Sequence, residues 1–209
     1  MTTDDGYVIT RKRNRKIALT TIPGQESRSR FYAMEELFGE RTRVDGVIFV
    51  ASNGFDHTWP KHANEVASSL PTFGFNTLLE RNRKKELFSF RDVCDHVIQK
   101  KVMAPEEFMP RWLLVAVNKL DLYWNEQSRA REYYMRTAES DFAEIADDLL
   151  RRVGSMSLDY HVLPVAAGAL NFSFDSDQGQ LSAISKLSAT QCDTSLAILT
   201  ETVGELSGI

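Results

Sequence analysis

The sequence predicts an α/β domain built around a mostly parallel sheet. Two observations carry that expectation. Short unbroken apolar runs, Val47 to Ala51 and Leu113 to Val117, have the composition of strands buried on both faces. Longer stretches with helical apolar spacing alternate with them, at 25–43, 78–102, 127–153 and 190–206. At 209 residues, 43% apolar and 26% charged, the chain suits one domain with a real core. We therefore read 1–209 as a single domain carrying a helical insertion at about 53–110.

Taken in order, Tyr7 to Thr10 and Ile17 to Ile22 read as a hairpin, with Arg11 to Lys16 as its solvated basic tip. Phe31, Met34, Leu37 and Phe38 give the first helix its apolar spacing. Asp45-Gly46 opens the strand at Val47. Residues His57 to Leu70 are expected to hold a short helix, and Pro71 to Phe75 a loop. The helix from Leu78 to Val102 places Leu87, Phe88, Val93, Val97 and Ile98 on overlapping faces, and its Arg81 to Lys85 cluster reads as solvated. Pro105 and Pro110 separate it from the strand at Leu113. A single long helix is expected over 127–153, ended by Gly154. Tyr160 to Val165 reads as a strand, Gln178 to Ser182 as a loop, and Thr190 to Leu206 as the closing helix, with Asp193 in its first turn.

Composition narrows the function. A formal charge of -4 argues against a general nucleic-acid binder. Cys94 and Cys192 give neither a disulfide framework nor metal-ligand spacing, which points to a reducing, cytoplasmic setting. The four histidines have no ligand spacing, so no protein-bound metal set is expected. The acidic N-terminus is not a signal peptide. No apolar run approaches the roughly 20 residues of a membrane span.

The motif that organises the rest is Asn118-Lys119-x-Asp121, placed where the strand at Leu113 ends. Ligands of open α/β sheets bind beyond the carboxyl ends of strands. An Asp there can accept two N–H groups from one edge of guanine as a charge-assisted pair. The Lys stem can lie along the base, and the Asn amide can tie neighbouring loops together.

This motif resembles the base-specificity motif of the Ras-like and Arf-like small GTPases. Thr21-Ile22-Pro23-Gly24-Gln25 is similar to their Asp-x-x-Gly-Gln segment, most closely in the bacterial cell-polarity GTPases, which have Thr-x-Pro-Gly-Gln. Asp45-Gly46-Val47-Ile48-Phe49-Val50 resembles the strand after their switch region. Ala166-Ala167-Gly168 stands where the family has Ser-Ala-Lys.

The resemblance implies a P-loop NTPase-like three-layer sandwich binding GTP or GDP with Mg2+. It implies that Gly24 meets the terminal phosphate and that Gln25 orients the attacking water. Thr21 would stand on the magnesium side, in place of the family Asp. Asn118, Lys119, Asp121, Ala166 and Ala167 would hold the base, and a protein effector or regulator would be the partner. The family's first strand and its phosphate loop, Gly-x-x-x-x-Gly-Lys-Ser/Thr, find no match in these 209 residues. They would precede Met1. The expectation is therefore a guanine-nucleotide switch impaired in hydrolysis, or alternatively a pseudo-GTPase interaction module.

Overall fold

A computed structural model describes residues 6–9, 16–19, 28–56, 75–176 and 179–208. At its centre is a three-stranded parallel sheet of order β3-β4-β5: Gly46–Ala51, Trp112–Val117 and Asp159–Pro164. All six residues of β4 are buried, as a strand covered on both faces must be. The ladder runs one step past each end. Arg111 N–H donates to Asp45 O at 3.0 Å, and Asn118 N–H donates to Ala51 O at 2.7 Å.

Side chains alternate across β4, and two separate apolar clusters result. Leu113, Val115 and Val117 join the main core with helices α1 (Arg28–Leu37), α2 (Phe75–Met103), α3 (Gln127–Tyr134) and α4 (Asp141–Val153). Trp112 and Leu114 pack on the opposite face with Val203, Leu199 and Leu206 of α5 (Ala189–Leu206). Helices thus lie on both sides of the sheet, in three layers. Helix α2 supplies Leu78, Phe90, Val93, Cys94 and Val97 to the main core, so much of the 53–110 stretch is integral to the domain. Phe90 and Phe142 stack with ring centroids 4.0 Å apart, joining α2 to α4.

Two antiparallel hairpins stand outside this sheet. Among the described residues, strands β1 (Gly6–Ile9) and β2 (Lys16–Leu19) pair only with each other, so β2 is not a neighbour of β3. The other side of β3 has no strand among the described residues, and Val50 is 62% exposed. The second hairpin, β6 (Phe172–Ser176) with β7 (Gly179–Ala183), replaces the loop expected at 178–182. Alternation there is spread over Phe172, Phe174, Leu181 and Ala183, and the cross-strand pairs Phe172–Ala183 and Phe174–Leu181 become visible only once the strands are paired. The helix proposed within 57–70, and the basic tip over 11–15, lie outside the described residues.

The long helix expected over 127–153 is two helices. Met135 is extended at the end of α3, and Ser140 starts α4 by accepting the Ala143 N–H at 3.1 Å.

 Met135 itself sits at φ -77° and ψ 141°, which no α-helix continues. The Ser140 hydroxyl donates back to Tyr133 O at 2.7 Å, and Tyr160 donates to Tyr134 O at 2.7 Å, so the last two carbonyls of α3 are satisfied. Phe75, expected in a loop, begins α2, and Phe88 faces solvent at 66% exposure rather than the core. Helix α5 starts at a Ser188–Gln191 capping box, ahead of the Asp193 turn expected from sequence. Buried Lys100 closes the turn after α1, its Nζ donating to Gly39 O at 2.7 Å and Thr42 O at 2.6 Å.

Gly46 lies directly under the Trp112 ring. A Cβ built there would come within 1.9 Å of Trp112 Cε2. Gly46→Ala should therefore lower stability by about 1–3 kcal/mol through overpacking. Denaturant midpoints check this. Trp112→Leu in the Gly46→Ala background should recover part of the loss, because it removes the ring that the methyl meets.

Candidate functional site

The carboxyl ends of β3 and β4 carry the two non-glycine residues with positive φ among the described residues, Asn53 at 50° and Lys119 at 66°. Each lies two residues past its strand. Left-handed backbone at a non-glycine residue is costly and persists where surrounding bonds impose it. Here the bonds can be named.

At the end of β3 the clamp is Glu86 of α2. Its Oε1 accepts the Ser52 N–H at 3.1 Å, the Ser52 hydroxyl at 2.8 Å and the Gly54 N–H at 2.9 Å. Its Oε2 accepts the Tyr134 hydroxyl at 2.8 Å. One helical turn earlier, the Asn82 amide donates to Gly54 O at 2.6 Å. Gly54 has φ of 86°, and a Cβ there would lie 2.5 Å from Leu79 O, so loop and helix touch backbone to backbone. Burial pushes the Glu86 carboxyl up from its usual range, against the four donors, which pull it down.

At the end of β4 the clamp is Asn118. Its Oδ1 accepts the Lys119 N–H at 2.7 Å and the Ala167 N–H at 3.2 Å, tying the loop after β4 to the loop after β5. Leu120 N–H donates to Val165 O at 3.0 Å and completes the tie. The Lys119 ammonium has no ion-pair partner among the described residues. Ala166 is buried, and its N–H donates to Ser195 Oγ of α5 at 2.9 Å.

Asp121 is the anomaly. Its side chain is 0% exposed, and neither carboxylate oxygen has a hydrogen-bond partner among the described residues. Segment 184–188 lies against it. Lys186 N–H donates to Asp121 O at 2.7 Å, and Leu187 enters the main core. Burial raises the Cys192 thiol, and the nearby Asp121 charge raises it further. Burial, then Glu86, then Asp121 raise the Tyr123 hydroxyl.

The structure thus brings Asn118, Lys119 and Ala167 together at one loop junction, with Asp121 two residues beyond Lys119 and turned inward. The Ala167 N–H, expected free for a base carbonyl, is engaged by Asn118 Oδ1. Thr21, Gly24 and Gln25 lie outside the described residues. Sequence reasoning missed Glu86, Asn82 and Asn53. Glu86 follows the basic cluster Arg81 to Lys85, which reads as a solvated face. Asn53-Gly54 is a turn dipeptide that could have marked the loop. No family model matches this chain, and neither the curated proteins nor the solved structures give a match.

Glu86→Ala leaves Ser52, Gly54 and Tyr134 donors without their acceptor. It should cost at least about 2 kcal/mol in a denaturant titration, whereas Glu86→Gln keeps an acceptor and should cost less. A folded-state carboxyl raised above its unfolded value makes the native state bind the extra proton. Wild-type stability should therefore fall as pH rises from about 4.5 through the raised value. That slope should be shallower in Glu86→Gln.

Proposed function

We propose that this chain is a guanine-recognising, GTPase-like domain acting as a regulatory switch. The observation that carries the reading is the Asp121 carboxylate: fully buried at the carboxyl end of the central strand, with both oxygens left without donors among the described residues. A buried anion in that state is costly unless donors reach it. The two N–H groups on one edge of guanine are donors of the matching number and spacing. Asn118 supports the same reading, since its amide joins the loops after β4 and β5. Because the Asp121 side chain is 0% exposed, base entry requires its surroundings to open.

At the base end of a nucleotide site, a carboxylate without donors among the described residues suits guanine. The phosphate end rests on Thr21, Gly24 and Gln25, which the resemblance assigns to terminal-phosphate and Mg2+-side roles. When bound with GTP, Mg2+ would neutralise phosphate charge. Two charge-assisted bonds at about 1.5–3 kcal/mol each sum to about 3–6 kcal/mol, and the cost of association leaves millimolar affinity or weaker, so base contacts alone give selectivity without tight binding.

One observation favours a second reading, a pseudo-GTPase interaction module. The Ala167 N–H is engaged by Asn118 Oδ1, a bond that ties the two loops together without a nucleotide.

Asp121→Asn exchanges one acceptor oxygen for a donor. Under the first reading it should shift preference from guanine toward xanthine nucleotides, measured by competition between GDP and XDP. Equal weakening for both would remove Asp121 from base recognition.

A further inference from the structure

A second cleft opens on the side of the sheet covered by α2 and α3, and it shares no lining residue with the Asn118–Asp121–Ala167 cluster. Its volume is about 390 Å3, within the range of about 300–1,000 Å3 typical of small-molecule sites. Phe55, Leu79, Leu122 and Tyr123 give it a buried apolar floor. Asn53 also lines it. Asn53 is 4% exposed and holds left-handed backbone, and its amide has no protein partner among the described residues. An amide that opens onto the cleft from a largely buried residue on costly backbone is a group placed for a ligand.

The rim carries charges in a repeated pattern. Glu80 and Arg83 lie three residues apart on α2, and Glu126 and Arg129 lie three apart where α3 begins. Pairs at that spacing commonly meet on a helix. Here neither pair closes into a salt bridge, and Arg83 Cζ instead sits 5.8 Å from the Tyr133 ring centroid. Two cations and two anions therefore surround an apolar floor without satisfying one another. A ligand with one charge of each sign and an apolar body complements all three features.

We infer that this cleft binds a small zwitterion, a free α-amino acid with an apolar side chain. The carboxylate meets the arginines, the ammonium meets the glutamates, the side chain covers Phe55 and Tyr123, and the Asn53 amide fixes the orientation.

The test is an NMR titration of the full chain with L-phenylalanine and L-leucine, read at the Asn53 side-chain amide. N-acetyl-L-phenylalanine lacks the ammonium, and L-phenylalanine amide lacks the carboxylate. At least one free amino acid should give a saturable shift, with each blocked form about tenfold weaker, the order of one lost charge-assisted bond. Glu126→Gln and Arg129→Gln change exposed rim residues and should weaken the free amino acid by a similar factor. No saturable response to either amino acid at about 10 mM, or an equal response to a blocked form, overturns the assignment. So does unchanged affinity in both rim variants.

Discussion

The carboxyl edge of the parallel sheet is held by side-chain acceptors. Where β3 and β4 end, the chain turns through left-handed residues, and the amides freed there need partners. Glu86 serves the Ser52 and Gly54 amides, and Asn118 serves those of Lys119 and Ala167. These two groups convert costly turns into fixed ones. They also decide which polar groups at that edge stay open. The Asp121 carboxylate remains without a hydrogen-bond donor among the described residues, while its neighbours do the clamping.

This arrangement links the core to the candidate site. Glu86 can reach the loop after β3 because Leu79 and Asn82 press the same face of α2 onto Gly54. That face is set by Leu78, Phe90 and Val97 packed under the sheet. Asn118 stands at its post because β4 is buried along its whole length and its ladder continues into Asn118 N–H. The loops at this edge thus inherit their precision from strand and helix packing, as functional loops on rigid scaffolds do.

Much of this was legible in the sequence. The apolar runs at Val47 and Leu113 gave the two strands, and the polar residues directly after Val117 marked the strand end. What stayed hidden depended on long-range pairing. Glu86 reads as a surface residue until the loop 52–54 folds over it, 32 to 34 residues away in sequence. The break between α3 and α4 follows from Ser140 and Tyr160 capturing carbonyls of Tyr133 and Tyr134, which periodicity does not report. The burial of Asp121 also escapes a linear reading, because the segment bonded to its backbone carbonyl through Lys186 N–H lies far along the chain.

The central claim is that the Asp121 carboxylate is an acceptor reserved for a guanine edge. Observing its carboxyl carbon by NMR while GMP, XMP and AMP are added in turn tests that claim most directly. The account predicts a saturable shift with GMP in the millimolar range and little change with XMP or AMP. An unmoved resonance with GMP, or the same movement with all three, would contradict it.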